Sequence, residues 1–521
     1  MKLIKSFYGI ENKYQHIMIF KRINIFLSSL VIFLQCYSQN SIVLSKEQMY
    51  EDFDQLMAIV QDYSPQIHIR KCVTGYDVIE RMQSMRPRIE QIEVPADYYQ
   101  FLSEVVACQI DAHSYMIDYH VSSDLYKYLA ENNSFWDIDT SAIIAVVREH
   151  IKHTTSGKRF CFGNYLQYYD GQYYIMGNIR LTGGAKKTSL KDLILTHIDS
   201  IPIDEYVFNN FSKYLPGTVH WDFVHRKYYI NPSSVFFPKG KFAFKSKDNG
   251  SPIIVDLSKY RNIFYEADTD PLSFYDKVIY FENEGILYIY IAQMKFGVQE
   301  QIINDIKEKC FEKDIRKVVI DVRNNPGGSD YVWIDILRYL TDAPIVIPNN
   351  MSVRSQPDLV AFYEKKHQIN TYESVFLDNN FNCSESSDTI AYPSDSSINY
   401  KGIFYVLQDQ NTKSAAHSLS SLCRFSERFV SIGIPTGTIG GMGIGPSLFQ
   451  LDHSKFTFAM ECDIDLTKIT SPTDCFQDIP EIIVHPSLDE EITRRFVKTM
   501  SGKTEDYLLH HDSFFKEVMK Q

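Results

Sequence analysis

The segment that most constrains this chain is Lys317–Asp330, which reads KVVIDVRNNPGGSD. The apolar, β-branched run from Val318 to Val322 is followed by turn residues, and such a run predicts a buried strand. Gly327 and Gly328 then let the backbone turn sharply and leave N–H groups uncovered by side chains. N–H groups at a strand end that leads into a helix can bind an anion, as an oxyanion hole must. The alternative is an ordinary strand-to-helix turn.

A second strand, Gly402–Val406, precedes a loop and then a helix that begins at Ser414. Leu419, Leu422 and Cys423 recur in this helix at helical spacing. The hydroxyl of Ser414 would therefore lie at a helix N-terminus, where the helix dipole favours developing negative charge. This position suits a nucleophile, although a serine there could also serve only as a helix cap.

Three motifs in this order resemble those of the tail-specific (C-terminal-processing) and tricorn-like serine peptidases. The motifs are Asp321–Gly328 (DVRNNPGG), Ser414–His417 (SAAH) and Gly433–Gly437 (GIPTG). The resemblance covers most of the chain after the N-terminal segment. It implies an α/β fold with a ClpP/crotonase-like peptidase core, which hydrolyses peptide bonds and needs no cofactor.

The resemblance also implies roles for single residues around the nucleophile. Ser414 would attack the peptide carbonyl and form an acyl-enzyme. The N–H groups of Ala415 and of Gly327 or Gly328 would form the oxyanion hole. The helix position where the family commonly has a glutamate carries His417 in this chain.

A serine hydroxyl needs a base, and the sequence departs from one branch of the family at this point. Many tail-specific proteases carry a lysine about two dozen residues after the serine, and no lysine stands there in this chain. The tricorn-like branch takes a histidine from an earlier domain, and Asp111–Ser114 (DAHS) is close to its D-x-H-S pattern. The resemblance therefore implies His113 as general base, with His120 and His417 as rivals.

The tricorn-like enzymes also place a carboxylate late in the chain, where it orients the histidine. Asp474 lies roughly at that position, with Asp478 and Glu481 as rivals. Asp111 could orient the histidine instead. We therefore expect Asp474 to be the third member of the site.

The overall charge of the chain disfavours one class of partner. The chain has 521 residues, with 53 Lys and Arg against 65 Asp and Glu, and a formal net charge of −12. No basic stripe is present to neutralise phosphates, which disfavours nucleic acid. No C-x-x-C pair occurs, so a structural zinc site is not expected. The expected partner is a peptide or an unfolded protein.

The first 38 residues have the pattern of a secretory signal. Lys21-Arg22 precede the apolar run Ile23–Leu34, which is short for a membrane span, and small residues follow it. The true start could be Met18. We expect cleavage near Ser38 and a periplasmic or extracellular mature protein without a membrane span; acylation of Cys36 is the minority alternative.

The remaining chain divides by composition and periodicity. After the signal peptide (1–38) we expect an N-terminal helical domain (39–125), a β-rich domain (126–275), the serine peptidase core (276–490) and a C-terminal helical tail (491–521). The β-rich domain could be PDZ-like or a generic linker domain. Within the core, the polar stretch 354–400 predicts a long loop that could cover substrate.

Two functions fit this sequence. The first is a serine endopeptidase of the tail-specific or tricorn-like type. The second is a catalytically silent peptide-binding protein on the same fold. The state of Ser414 discriminates between them, because only an activated serine would react with a fluorophosphonate.

Overall fold

The computed structural model describes residues 44–117, 131, 134, 136–139, 159–176, 178–184, 188–214, 217–231, 235–246, 252–260, 262–266, 277–365, 381–436, 446–467, 469–491 and 504–521. The proposed signal peptide and His120 lie outside these residues. The chain has a mixed α/β fold in which helices and several sheets alternate.

The N-terminal part is a group of helices that ends in a short strand. Its elements are α1 (Lys46–Tyr63), α2 (Gln66–Thr74), α3 (Val78–Met85), α4 (Pro95–Val106) and β1 (Tyr115–Met116). Helix α1 begins at Ser45, whose hydroxyl accepts the N–H of Gln48 while the Gln48 side chain accepts the N–H of Ser45. Apolar residues of α1, including Phe53 and Leu56, are fully buried and join a core shared with Phe458.

Antiparallel strands dominate the middle of the chain. They are β2 (Arg159–Cys161), β3 (Leu166–Tyr169), β4 (Gln172–Ile175), β5 (Asn178–Thr182), β6 (Thr188–Leu190), β7 (Leu193–Ile198), β8 (Ile201–Pro202), β9 (Val219–Asp222), β10 (Lys227–Ile230), β11 (Phe236–Pro238), β12 (Lys241–Ser246), β13 (Ile253–Asp256) and β14 (Asn262–Glu266), with helix α5 (Ile203–Asn210) after β8. The main sheet has the order β13-β12-β7-β4-β3, with β8 paired to β7. A PDZ-like identity for this part stays a prediction.

The core region contributes the remaining strands. They are β15 (Lys277–Phe281), β16 (Ile286–Tyr290), β17 (Lys317–Asp321), β18 (Ile345–Arg354), β19 (Phe381–Ala391), β20 (Phe404–Gln408), β21 (Phe429–Gly433), β22 (Ser447–Gln450), β23 (Thr457–Met460), β24 (Asp463–Asp465) and β25 (Ile482–Ile483). Its helices are α6 (Val298–Lys309), α7 (Asp330–Leu340), α8 (Pro357–Glu364), α9 (Ala415–Ser421) and α10 (Pro472–Phe476), and the tail adds α11 (Thr504–His510) and α12 (Ser513–Lys520).

Among the residues that the structure describes, the core sheet has six strands in the order β15-β16-β17-β20-β21-β25. Pairing is parallel from β16 to β25, and β15 runs antiparallel at one edge. Strands β17 and β20 are buried on both faces, as near-continuous apolar strands of parallel sheets are. The strand predicted from Lys317 and the helix after it are confirmed.

The polar stretch 354–400 differs from the loop that its composition predicted. Residues 381–391 form strand β19, which pairs antiparallel with β18 along most of its length. The backbone N–H and C=O groups of this polar strand form hydrogen bonds with β18, which lies about 35 residues earlier in the sequence. The loop predicted from composition was therefore wrong for residues 381–391, because pairing with β18, and not the local sequence, determines that they form a strand.

A buried ion cluster ties the C-terminal tail to the core sheet. Arg323, fully buried, pairs with Asp321 at 2.6 Å and with Asp512 from the tail at 2.9 Å. Tyr288 donates to the same Asp321 at 2.6 Å. The first motif therefore includes two residues, Asp321 and Arg323, that hold the fold together beneath the turn.

Candidate active site

The candidate site lies at the carboxyl edge of the core sheet. Strands β17 and β20 pair in parallel with Asp321 opposite Leu407, so their carboxyl ends lie side by side. The turn that contains Gly327 and Gly328 follows β17, and the loop to Ser414 follows β20. Ligands of open α/β sheets bind outside the carboxyl ends of the strands, which favours this edge as the functional one.

The backbone of Ser414 has an unusual conformation. Its φ is 54° and its ψ is −133°, in a region that a non-glycine residue seldom adopts and that costs about 1–3 kcal/mol. Helix α9 begins directly after it, and the Ser418 N–H donates to the Ser414 carbonyl at 2.9 Å. A strained serine between a strand and a helix is the geometry of a nucleophile elbow. The Ser414 side chain makes no capping hydrogen bond, so helix capping does not explain this serine.

The turn after β17 packs directly against Ser414 because it has no side chains. A Cβ on Gly327 would lie 2.2 Å from Ser414 Cβ, and one on Gly328 would lie 2.1 Å from the Met294 carbonyl oxygen. Both glycines also have positive φ, 94° and 140°. Glycine is therefore required at both positions, on grounds of space and of conformation.

The two glycines differ in the N–H group that each can offer. The N–H of Gly327 donates to the Asn325 side chain at 2.8 Å. The N–H groups of Gly328 and Ala415 make no hydrogen bond with the described residues. The geometry therefore favours Gly328 and Ala415 as oxyanion donors, with Gly327 giving the room for Ser414 to approach.

His113 is positioned by a strand pairing that joins the N-terminal part to the core. Strands β1 and β23 pair antiparallel with Tyr115 opposite Ala459. Continuing that register by two residues places His113 opposite Glu461, and Nδ1 of His113 is hydrogen-bonded to Oε2 of Glu461. Glu461 is 1% exposed. The pair therefore leaves Nε2 as the ring nitrogen available to a substrate or to Ser414.

The surroundings of His113 favour its charged form. Burial lowers the pKa of His113, but the charge and hydrogen bond of Glu461, with smaller contributions from Asp111 and Asp463, raise it to about 9. Asp111 also accepts the hydroxyl of Ser114 at 2.8 Å, which fixes the turn before β1. Glu461 is thus the carboxylate that orients His113 in this structure.

Asp474, the carboxylate expected at this place, lies elsewhere. It accepts the hydroxyl of Thr470 at 2.8 Å, and its own N–H donates to the Ser471 hydroxyl at 3.3 Å. These bonds close the start of the short helix α10, and no hydrogen bond or ion pair joins Asp474 to His113. The correction is that Asp474 has a local capping role while Glu461 contacts the histidine.

Two of the rival residues, His417 and Asp478, form a separate group beneath α9. Asp478 pairs with Arg424 at 2.6 Å, and His417 Nε2 lies 3.7 Å from it. Burial lowers the pKa of His417, and the charge of Asp478 opposes this only in part. His417 is 3% exposed and therefore a neutral, buried support of the helix.

No hydrogen bond joins His113 to Ser414, but their neighbours meet at one point of the middle region. The Lys413 ammonium donates to the carbonyl of Gly217. A Cβ on Gly217 would lie 3.0 Å from Ala112 Cβ and 3.5 Å from Lys413 Nζ. The residues that directly precede His113 and Ser414 therefore pack against the same glycine.

A second bond connects the middle region to the loop before Ser414. Asn231, just after β10, donates to the Asn411 side chain at 3.0 Å, and Asn411 donates to Asn324 at 2.8 Å. Burial also lowers the pKa of Lys413 to about 8, which the nearby Asp409 charge only partly opposes. The loop that carries Ser414 is thus held both by the core and by the middle region.

The described part of the chain holds no group of three or more His, Cys, Asp or Glu side chains that could hold a metal ion. None of its helices has the length and apolar character needed to cross a membrane.

Comparisons with known proteins agree with this geometry. Residues 285–468 match the model of peptidase family S41, a stretch that contains Gly328, Ser414 and Glu461 while His113 precedes it. No curated protein matches the chain significantly. Mature CPAF has a similar structure, with a TM-score of 0.52 at 12% identity over 91% of this chain and 97% of that one. Its complex with lactacystin gives a TM-score of 0.51 at 12% identity, over 91% and 98%.

At such low identity the likeness to CPAF establishes a shared fold. A photosystem II D1 C-terminal processing protease matches at a TM-score of 0.37 and 12% identity, over 88% of this chain and 98% of that one, which is too low to support an argument. The matched domain and the strand-end turns define a serine-type peptidase, a hydrolase. Within that class, residues 285–468 carry the sequence pattern of peptidase family S41.

Proposed function

We propose that this protein is a serine endopeptidase that cleaves peptides or unfolded proteins through an acyl-enzyme on Ser414. The observation that carries the proposal is the strained backbone of Ser414, packed against Gly327. The next residue after each of them, Gly328 and Ala415, has an N–H group that makes no hydrogen bond with the described residues. His113 acts as general base, and Glu461 orients it.

The proposed reaction uses these residues in two steps. His113 Nε2 takes the proton of the Ser414 hydroxyl as its oxygen attacks the peptide carbonyl, and the N–H groups of Gly328 and Ala415 stabilise the oxyanion. His113 then gives the proton to the leaving amine. A water molecule, activated by the same imidazole, hydrolyses the acyl-enzyme.

The mechanism requires His113 to reach Ser414 when substrate is bound. Catalytic hydrogen bonds are often long or absent in the free enzyme and form only in the substrate complex. Ala112 and Lys413, which precede His113 and Ser414, both pack against Gly217. A small movement of the middle region would therefore change the distance between the His113 and Ser414 side chains.

The second candidate function is a catalytically silent peptide-binding protein. The observation in its favour is that His113 and Ser414 are not hydrogen-bonded. A fluorophosphonate probe decides between the two functions, because it labels only an activated serine. We expect wild-type protein and the Ser421→Ala control to be labelled at Ser414, and Ser414→Ala to stay unlabelled. Folded wild-type protein that remains unlabelled would favour the silent protein.

The proposed role of Glu461 gives a pH prediction. The base must be neutral, and a histidine with a pKa of about 9 is mostly protonated at neutral pH, so kcat/KM should rise with pH towards about 9. Glu461→Gln removes the charge that raises this pKa. The acidic limb should therefore move down towards about 6.5, while kcat falls by up to roughly 10⁴-fold as orientation is lost.

The same variant has a second readout, the free energy of unfolding. The folded-state pKa of His113 is raised, so the His113–Glu461 pair stabilises the fold fully below pH ~6.5 and loses this contribution as pH rises through about 9. Glu461→Gln should remove that pH dependence. If the acidic limb of the kcat/KM profile did not move in Glu461→Gln, Glu461 would not be the residue that raises the pKa of His113.

We also propose that the protein is exported. Lys21-Arg22 and the short apolar run after them support this, and both lie outside the described residues. Mass spectrometry of the protein from its native host should show a mature N-terminus near Gln39. A chain that retains residues 18–38 in the cytoplasm would contradict export.

A further inference from the structure

A cavity of about 480 Å³ lies between the middle sheet and the core. Its core wall includes Gln410, which follows β20, Thr436, which follows β21, and His485, which follows β25. These are carboxyl ends of parallel strands, as is the end that leads to Ser414. The cavity and the candidate nucleophile therefore share one edge of the sheet, and Gln410 lies only a few residues before Ser414.

Part of the cavity wall is apolar and rigid. Tyr168 and Tyr229 stack with ring centroids 4.0 Å apart and an interplanar angle of 8°. Met176 from the middle region and Pro435 and Val484 from the core complete this part of the wall. Such a surface suits the aliphatic stem of a long side chain.

The polar part of the wall is acidic. Asp170, Asp222 and Glu491 line it, and no described residue of the wall is a lysine or an arginine. His225, also in the wall, lies 2.9 Å from Asp222 and 3.6 Å from Asp170. Burial raises the pKa of Asp222, but hydrogen bonds from Tyr168 and His225 outweigh this and hold its pKa below the ordinary value. Asp222 therefore keeps its negative charge at neutral pH.

The remaining polar groups also call for a hydrogen-bond donor. The side-chain oxygen of Gln410 is buried and accepts no hydrogen bond from the described residues. A cation close to the wall, the Lys227 ammonium 5.9 Å from the Tyr168 ring centroid, is already held by Asp204 at 2.7 Å and by the Gly171 carbonyl at 2.8 Å. The cavity thus presents acceptors, which a planar guanidinium with five N–H donors would satisfy.

We propose that this cavity is a substrate subsite that receives an arginine side chain of the peptide. The tyrosine and proline walls would hold its methylene stem, and Asp170, Glu491 and Gln410 would accept its guanidinium N–H groups. Asp222, whose oxygens already accept hydrogen bonds from Tyr168, Val224 and His225, would add negative charge nearby. This assignment rests on the proposed peptidase function, because it places the arginine next to the sheet edge where Ser414 lies.

The test compares arginine with citrulline, which has nearly the same shape and no charge. A peptide library in an alanine background carries either residue at each position in turn, and kcat/KM is measured for each pair. We expect one position at which the arginine peptide is preferred by roughly tenfold or more. In the double variant Asp170→Asn/Glu491→Gln the ratio of the arginine to the citrulline rate should fall towards one.

Matched controls show whether the effect belongs to the cavity. Asp170 stands in a turn with φ of 43°, which asparagine tolerates, so the backbone should be kept. Glu282→Gln removes an exposed carboxylate outside the cavity wall and should leave the arginine preference intact. An arginine preference that persists in the double variant would overturn the proposal, as would no preference at any position.

Calorimetric binding of the same peptides to Ser414→Ala separates this proposal from the peptidase function. Binding does not require turnover, so a roughly tenfold tighter arginine peptide, lost in the triple variant with Asp170→Asn and Glu491→Gln, would support the subsite even if wild-type protein cleaved nothing. Equal affinities for the arginine and citrulline peptides at every position would refute the subsite even if wild-type protein were an active peptidase.

Discussion

Ser414→Ala should lower peptide turnover by roughly 10⁴-fold or more, as the loss of a triad serine does. The physical reason is that no other described hydroxyl combines the strained junction before α9 with the turn of Gly327 and Gly328. Alanine keeps the Cβ and changes only the hydroxyl, so the structure around the turn should survive. Turnover of a fluorogenic peptide pool at saturating concentration measures the effect.

A structural role for Ser414 would give a different result. The strained backbone is stabilised by its surroundings and not by the hydroxyl, which makes no capping bond. The melting temperature of Ser414→Ala should therefore stay near that of the wild type. Ser421→Ala, at the other end of helix α9, should keep normal turnover. If Ser414→Ala retained wild-type activity, the assignment of the nucleophile would be wrong.

His113→Ala should reduce turnover nearly as much as Ser414→Ala. A serine without its base loses most of its nucleophilicity. His113 is the described histidine that the pairing of β1 with β23 places against a buried carboxylate, Glu461. The double variant Ser414→Ala/His113→Ala should be little worse than either single variant, because residues that act as a unit are not additive. Single-turnover rates of the variants measure this coupling.

His453→Ala is the matched control for that experiment. His453 also pairs with a carboxylate, Glu51, at 2.6 Å, but at a surface site away from the sheet edge. It should leave turnover unchanged within about twofold, as surface substitutions usually do. Losses that add fully in the double variant would show that His113 and Ser414 act independently, and they would remove His113 from the proposed mechanism.

Local sequence was sufficient to predict the elements that build the nucleophile side of the site. The strand from Lys317, the turn at Gly327 and Gly328, and the strand before Ser414 depend on β-branched runs and on glycine. These preferences act within a few residues, so they can be read without the fold. The helix start at Ser45 was predictable for the same reason, because a capping box is a local pattern.

Two other features could not be predicted from local sequence. The polar stretch 354–400 contains strand β19, whose formation depends on pairing with β18. The carboxylate that contacts His113 was equally non-local: Glu461 was not among the acidic residues considered from the sequence, although it lies late in the chain, as Asp474 does. Only a weak sequence signal points to Glu461. Glu461 directly follows the apolar strand Thr457–Met460, a position at which its carboxylate becomes buried.

The sequence by itself determined the class of this protein: a strand that ends in paired glycines, followed by a serine between a strand and a helix. Only the tertiary structure decided which carboxylate meets His113. The antiparallel register of β1 and β23 brings residues from opposite ends of the chain face to face, and a shift of one residue would turn every side chain to the other face. Register depends on packing between the helical part and the core, so no local pattern could specify it.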